Sequence, residues 1–573
     1  MKLYDISEKQ KNQARLRRVA DLAWEHVGGF PFASSISDRR LTSMPDVSIE
    51  GAERRRAIAE EILSETSALD RDHLSHDDLL TVALLNYYAG YWRLARKNYL
   101  LDFDVSGTGF SGPFVQTAYT GGFVLNAISA YFKNFAFSGV KQADEYLSLL
   151  ADLARFLEQI RARTEEQARH GIRIHRPQLP AVRMLLENYR QKAETEYCPA
   201  KDRLLHLGQS GWYDTEIKKR VDELVVPAFQ SLIDQLDDAY EALAPAGVGI
   251  DKFPGGDEVY RDLVRWHTTL DMTPQEIHQA GHDRMARIER QIAEVQTKIG
   301  FSGSYDEFRE FVKNDKRAVA KDADDIGEKM RMHKGRVEKR FDEFFVDQPA
   351  SECDVERLDP SLEGAMTWGF YQEPSIDDPR GTYFYNGSRL NSQSVLGAAS
   401  LTFHELVPGH HLHLSTQFDN EHMHPIRRYA FVNAFNEGWA EYAATLTGEM
   451  GLYDDPFDKL GRLIFDAFLT SRLVVDTGLN LLGWTLDDAK TYMREHTFAR
   501  PEEVESDLLR YSCDIPAQSL AYKLGDEEIL RMRADAQDRL GGAYTHKSFH
   551  AAVLRPGGLP LPVLEDHLKS VLA

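Results

Sequence analysis

Apolar residues recur at helical spacing through most of the chain, and polar residues fill the positions between them. This period of about 3.6 residues predicts a mainly α protein. Thr273, Pro274 and Glu276 form the signature of a capped helix start, with threonine at the N-cap and proline at the first helical position. The predicted helices cover residues 6–30, 50–69, 79–99, 141–169, 178–195, 212–243, 273–300, 320–345, 427–447 and 457–482, with further helix after 304 and 394.

The pattern changes between residues 364 and 390, where short aromatic and β-branched runs flank a turn. Residues 365–371 and 382–385 are therefore predicted to be two strands, a hairpin or small sheet beside the next helix. The edge of such a sheet could pair with an extended peptide, or the strands could only close a corner of the fold. The glycine-rich residues 106–112 lack the setting of a phosphate-binding loop and are predicted to form a surface or cleft loop.

One stretch has the composition of a linker between domains. Residues 244–256 are rich in alanine, proline and glycine, which is typical of a boundary. We predict an N-terminal helical lobe, residues 1–243, and a second lobe, residues 257–573. Together they are expected to form one compact, two-lobed protein that encloses a deep cleft.

Composition narrows the partners and the compartment. The 573 residues include 90 acidic and 68 basic ones, a formal charge of −22, which argues against nucleic acid because phosphate binding needs a basic surface. Cys198, Cys353 and Cys513 are widely spaced and form no disulfide or zinc framework. The first residues carry no apolar signal region, and no apolar run is long enough to span a bilayer. We expect a cytoplasmic protein without nucleic-acid or membrane partners, and the oligomeric state stays open.

The functional prediction depends on the stretch that begins with His404 and Glu405. A histidine ligand followed at once by glutamate puts a carboxylate beside the open position of a catalytic zinc. The usual second ligand lies at i+4, but here that position is Pro408. Since the proline and the glycine after it should break the helix, a later histidine could swing back beside the first. We predict His410 as the second ligand, with His411 as the alternative or as a neighbour of the ligands.

A later helix is predicted to supply the third ligand. Glu437 and Glu441 are i and i+4, so they share a helix face. We assign Glu437 to the metal, while Glu441 would hydrogen-bond a ligating imidazole and fix its orientation. On the next long helix, Arg472 and Asp476 could form a buried ion pair that supports the site, or an ordinary pair one turn apart.

These motifs together resemble a known family. His-Glu-Leu-Val-Pro-Gly-His-His (404–411) and Asn-Glu-Gly-Trp-Ala-Glu-Tyr (436–442) are similar to the bacterial "domain of unknown function 885" family. The resemblance spans most of residues 240–540 and implies a site like that of zinc metallopeptidases with a glutamate ligand, in a gluzincin-like fold. Asn480 and Ala517 depart from it, because histidine and glycine are expected there. Further matching stretches lie at 253–269, 472–478, 483–485, 516–518 and 522–525.

Hydrolysis of an amide also needs a donor for the oxyanion. Tyr522 or Arg510, in stretches that match the family, is predicted to supply it, and Arg510 could instead bind a terminal carboxylate. The predicted function is a peptidase-like hydrolase with one Zn²⁺, a small peptide or amide substrate, and Glu405 as general base. The alternatives are a helical iron or manganese enzyme, for which residues 421–424 offer a Glu-x-x-His motif, and a catalytically silent peptide-binding relative.

Overall fold

The structure, a computed structural model, describes most of the chain, and side chains from residue 8 onward. The described residues are 2–31, 33, 37, 39–104, 111–349, 351–360, 363, 368–374, 378–388, 390 and 394–572. Contacts divide the chain into two compact units, Met1–Leu263 with Leu509–Pro516 and Val264–Leu508 with Ala517–Ala573. The predicted boundary at 244–256 and the predicted cleft stay predictions.

Helices form the first unit, and aromatic residues contribute to its core. Tyr88 and Trp92 are buried one turn apart, with their rings stacked at 5.5 Å. The short strands β1 (Phe103–Asp104) and β2 (Ser111–Gly112) pair antiparallel. Most of the predicted glycine-rich loop between them, residues 105–110, lies outside the described residues. The helices are α1 (Lys2–Val27), α2 (Ile49–Ser67), α3 (His76–Trp92), α4 (Ala118–Asn134), α5 (Val140–Arg169), α6 (Leu179–Gln191), α7 (Ala193–Tyr197), α8 (Ser210–Arg220), α9 (Val226–Gln235), α10 (Asp238–Ala242) and α11 (Gly256–Thr268), which runs into the second unit.

Helices also dominate the second unit, so the prediction of a mainly α protein is confirmed. The helix predicted to begin at Thr273 does so with the full capping box and ends at Gly300, whose φ is 81°. The helices are α12 (Pro274–Ile299), α13 (Tyr305–Asn314), α14 (Ala323–Glu338), α15 (Phe341–Phe344), α16 (Ala398–Glu405), α17 (His410–Phe418), α18 (Pro425–Arg428), α19 (Asn433–Glu449), α20 (Pro456–Asn480), α21 (Leu486–His496), α22 (Pro501–Leu509), α23 (Ala521–Leu540), α24 (His546–Leu554) and α25 (Leu561–Val571).

A three-stranded sheet in the second unit precedes α16 in sequence. Its order is β3 (Cys353–Arg357), β5 (Gly381–Tyr385) and β4 (Gly369–Gln372), with β3 parallel and β4 antiparallel to β5. Strands β4 and β5 correspond to the two predicted strands, although residues 365–367 of the first prediction lie outside the described residues. Strand β3 was not predicted. The gluzincin-like detail of the fold stays a prediction.

Two glycines let α19 and α23 cross with their backbones in contact. A Cβ on Gly438 would lie 2.5 Å from the Cα of Gly525, and a Cβ on Gly525 would lie 2.1 Å from the Ala434 carbonyl oxygen. Helix separation depends on the side chains at the contact, so only glycine permits this approach. The crossing brings α23, with Tyr522 and Lys523, against the helix that carries the paired glutamates.

Candidate metal centre

The helix break lies where the proline and glycine predict it. Helix α16 ends at Glu405 and α17 begins at His410. A Cβ on Gly409 would lie 1.8 Å from the carbonyl oxygen of His404, so the glycine is required because the turn folds back on the helix. Its φ of −81° is open to any residue. Trp439 Nε1 donates to the proline carbonyl oxygen at 3.0 Å and ties the turn to α19.

This turn brings the three predicted ligands together. His404 Nε2 lies 3.7 Å and His410 Nε2 lies 3.3 Å from Glu437 Oε2, and one ligand atom of each lies within 4.8 Å of the others. Ligand atoms around a tetrahedral zinc are separated by roughly 3.3 Å, as follows from zinc–ligand distances of about 2.0–2.1 Å. The spacing and the donor set, two imidazoles and a carboxylate, therefore fit a zinc ion.

Glu437 carries the observation that most favours a cation at this position. Its Oε2 is buried and has no hydrogen-bond partner in the described part of the chain. Burial alone would raise its pKa, but His404 and His410 outweigh burial and hold the pKa of Glu437 well below its usual range. A buried, ionised oxygen without a hydrogen bond is costly unless a cation or proton donor reaches it.

Glu441 fixes the orientation of the first imidazole. His404 Nδ1 lies 2.9 Å from Glu441 Oε1, so the ring donates from Nδ1 and turns Nε2 toward Glu437. The other oxygen, Oε2, accepts from Arg462 Nη2 at 3.0 Å and Lys523 Nζ at 2.8 Å. Burial opposes ionisation, but these two cations and His404 keep the pKa of Glu441 well below its usual range. The carboxylate predicted to support a ligand is thus bonded to a predicted ligand.

The lysine extends this arrangement into a buried network of charges. Lys523 Nζ also lies 2.8 Å from Asp466 and 2.6 Å from Asp526. Arg284 bonds the same two aspartates at 3.1 Å and 2.9 Å. Within the network, three cations (Lys523, Arg284, Arg462) face three carboxylates; Glu441 and Asp526 are buried, and the Asp466 side chain is 13% exposed. Glu527, a further partner of Arg284, also pairs with Arg287. The charges balance, as buried ionic groups require.

His413 performs the corresponding role for the second imidazole. Its Nε2 lies 3.1 Å from Nδ1 of His410, and its ring is 1% exposed. Burial and the neighbouring His410 hold the pKa of His413 well below its usual range, so the ring is neutral. The contact leaves Nε2 of His410 facing Glu437.

His411 faces away from the three ligands. Its Nε2 donates to the Ser351 carbonyl oxygen at 2.9 Å, and its Nδ1 accepts from the Tyr371 hydroxyl at 2.8 Å. Burial lowers the pKa of His411 to about 4. Both ring nitrogens are therefore used in joining α17 to strand β4 and to the residues before β3. His411 is a neighbour of the predicted ligands that does not belong to their cluster.

Glu405 lies at the end of α16, directly after the first ligand. Its carboxylate makes no hydrogen bond or ion pair with the residues that the structure describes. Burial raises the pKa of Glu405, against the opposing effect of His404 and His410. Burial raises the pKa of Tyr371 and of Tyr383, and the negative charge of Glu405 adds to this rise. No contact with the described residues therefore occupies the carboxylate.

The two predicted oxyanion donors lie in different units. The Tyr522 ring stacks on His404, with centroids 6.1 Å apart and planes 11° from parallel, and Arg472 lies 5.0 Å from the tyrosine ring. Arg510 belongs to the first unit, where its guanidinium lies 4.2 Å from the Tyr119 ring. The structure therefore brings Tyr522 to the ligands, and the role of Arg510 stays a prediction.

Asp476 bonds both residues that depart from the family pattern. Asn480 Nδ2 donates to its carbonyl oxygen at 3.0 Å and to Oδ1 at 3.1 Å. The Ala517 amide donates to the same carboxylate at 3.1 Å, with a left-handed φ of 69°. Arg472 forms its ion pair with Asp507 at 3.3 Å. Asp476 thus organises the turn that leads into α23.

Three supporting residues were missed in the sequence. His413 could have been found, because it lies one turn after His410 on the same helix. Lys523 gives a weak signal as a lone cation among small and apolar residues in a stretch that matches the family. Arg462 gives none, because its partners Glu441 and Ser400 are distant in the chain.

Comparison with known proteins decides the family. The model of a family described as "Bacterial protein of unknown function (DUF885)" matches residues 32–568, nearly the whole chain. The chain belongs to this family. None of the curated proteins matches the chain.

Solved structures show that the DUF885 fold is shared. The structure of a "putative lipoprotein" from Colwellia psychrerythraea is 24% identical, covers 99% of each chain and has a TM-score of 0.83. A "putative lipoprotein of unknown function" from Shewanella oneidensis is 15% identical, covers 99% of each chain and has a TM-score of 0.72. At these identities the likeness concerns the fold. Among the described helices of this DUF885 chain, none is long and apolar enough to cross a membrane.

Proposed function

We propose that the protein is a zinc-dependent hydrolase of peptide bonds or related amide bonds. One observation carries the proposal. His404, His410 and Glu437 direct ligand atoms to one point, and one of these atoms is a buried carboxylate oxygen without a hydrogen bond in the described chain. Zinc sites with two histidines and one glutamate keep an open position, which hydrolysis requires.

The surrounding residues can supply the other parts of the reaction. When bound, zinc provides a Lewis acid that lowers the pKa of a water and polarises a carbonyl group. Glu405 accepts a proton from the water and later donates it to the leaving amine. Tyr522, stacked on His404, is proposed to donate a hydrogen bond from its hydroxyl group to the oxyanion. Arg510 stays a candidate for the same role or for a substrate carboxylate.

The substrate proposed is a small peptide or a related amide, with no role for nucleic acid or membrane. A cytoplasmic location is part of the proposal. The two solved structures are described as lipoproteins, and this description applies to those proteins. The iron or manganese alternative draws no support from residues 421–424. Glu421 is exposed, and His424 Nδ1 accepts from the Ile426 amide at 3.2 Å as a helix cap. A test for chelator-sensitive cleavage distinguishes the catalytically silent alternative from a hydrolase.

Two substitutions test this proposal. Glu405→Gln removes the general base and keeps the ligands, so zinc content should stay at one ion per chain while hydrolysis of a short-peptide mixture falls at least about a hundredfold. His404→Ala should lose both zinc and activity. Full activity in Glu405→Gln would refute the assigned base. No chelator-sensitive cleavage by the zinc-loaded wild type would favour a silent binder.

A further inference from the structure

An apolar pocket opens in the second unit. Its free space is about 620 Å³, a figure that includes open solvent at the mouth. Phe468, Phe498 and Val312 are less than a tenth exposed, whereas Phe465 and Ile464 are half-buried and face the open space. The apolar lining consists mainly of Val312, Trp368, Ile464, Phe465, Phe468 and Phe498.

Two contacts connect the pocket to the metal centre. The Phe465 ring lies 6.2 Å from the ring of His404, at 74° to it. Arg472 lies 5.1 Å from the Phe468 ring and 5.0 Å from that of Tyr522, which stacks on His404. Phe465, one of the pocket-lining residues on α20, is thus in direct contact with the ring of a predicted ligand.

The polar residues at the pocket do not give it a strong charge. Lys313 pairs with Glu310 at 3.5 Å. The Glu503 carboxylate accepts from the backbone amide of Arg500 at 2.9 Å, as a helix cap. Two cations and two carboxylates lie at or beside the lining, so apolar contact is the main basis for selection.

We propose that this pocket receives a large apolar side chain, preferably aromatic, from the substrate residue next to the cleaved bond. The inference rests on the proposed function, because it needs the reacting carbonyl at the metal centre. Since Phe465 both lines the pocket and contacts the His404 ring, a side chain of a residue held there would extend along Phe465 into the pocket. Apolar area buried in this way favours phenylalanine over alanine, since binding grows with the area removed from water.

The test compares two probes with the same metal-binding group, phenylalanine hydroxamate and alanine hydroxamate. Calorimetry measures the binding of each to the zinc-loaded, full-length protein, so no turnover is needed. We expect the phenylalanine probe to bind about tenfold or more tightly than the alanine probe. Ala499, half-buried in the lining, is replaced by phenylalanine to fill the pocket. This variant should lose the preference while binding the alanine probe as before.

Controls separate the pocket from the metal centre. Ala499→Leu fills the pocket less and should reduce the preference by a smaller factor, in case the larger variant fails to fold. Ala543→Phe places the same ring on an exposed surface of the second unit and should keep the full preference. Equal binding of both probes to the wild type would overturn the pocket and leave the proposed function standing. Failure of both probes to bind would overturn the metal centre, and the pocket proposal with it.

Discussion

Two glutamates one turn apart on α19 have opposite surroundings. Both oxygens of Glu441 are bonded, to His404 on one side and to Arg462 and Lys523 on the other. Glu437 Oε2, in contrast, has two imidazole nitrogens at 3.3 Å and 3.7 Å and no hydrogen bond within the described residues.

This contrast separates a carboxylate that stabilises the fold from one that is available to a ligand. Glu441 completes a balanced network, so its loss or the loss of a partner leaves buried charge uncompensated. Glu437 is ionised at a position where a cation can complete its coordination. Substitutions on the Glu441 side should therefore change stability, and those on the Glu437 side should change metal binding.

The largest effect is expected at Lys523. Lys523→Met removes the cation shared by Glu441, Asp466 and Asp526, and should lower the free energy of unfolding by about 3–5 kcal/mol. Urea titration followed by circular dichroism measures it. Lys490→Met breaks an exposed pair with Glu505 and should cost less than about 1 kcal/mol. Similar losses in both variants would contradict a stabilising network.

For Glu437→Gln, the larger effect is expected on zinc affinity and the smaller one on stability. The amide is neutral and binds zinc poorly, so zinc affinity should fall at least about a hundredfold, more than the loss usual for residues outside the ligand set. The free energy of unfolding of the metal-free protein should fall by less than in Lys523→Met, because only the two imidazoles face Glu437. Competition with a fluorescent chelator measures the affinity. Unchanged zinc affinity would remove Glu437 from the ligand set.

Zinc binding should release a proton from the imidazole between the two glutamates. Burial lowers the pKa of His404, but the neighbouring carboxylates of Glu437 and Glu441 outweigh burial and raise it to about 10. The ring is therefore protonated at pH 8 without metal, and a ligand must be neutral. Calorimetry in two buffers of different ionisation enthalpy should show about one proton released per zinc, with affinity rising about tenfold per pH unit between about pH 7 and 9. No release at pH 8 would contradict this pairing.

The smallest effect is expected at Ala517, away from both glutamates. Its φ of 69° is left-handed and unfavourable for a residue with a Cβ. Ala517→Gly should therefore raise the free energy of unfolding by up to about 1 kcal/mol, offset in part by the greater freedom of glycine in the unfolded chain. Thermal unfolding measures the shift. A lower unfolding temperature would show that the turn tolerates alanine without strain.

Sequence predicted the elements with strong local signals. Helix α12 was predicted from its capping box, and its start and end agree with the structure. The helix predicted at 427–447 was placed inaccurately, because α18 covers Pro425–Arg428 and α19 runs from Asn433 to Glu449. The residue before α19 is Val432, which gives no N-cap hydrogen bond and so no start signal. Strand β3 was missed because only Cys353 and Val355 alternate inward.

The candidate ligands could be named from residue type, but the choice between His410 and His411 could not. Both follow the break, and long-range partners decide between them. Tyr371 and Ser351 occupy the ring nitrogens of His411, whereas His413 leaves Nε2 of His410 facing Glu437. Such partners are separated in sequence, so no local pattern predicts them.

Anomalous scattering at the zinc absorption edge, from crystals of the full chain grown with equimolar zinc, tests the metal centre most directly. We predict one peak, about 2.0–2.2 Å from Nε2 of His404, Nε2 of His410 and Oε2 of Glu437. A peak that includes His411, a peak without Glu437, or no peak between these side chains would contradict the account.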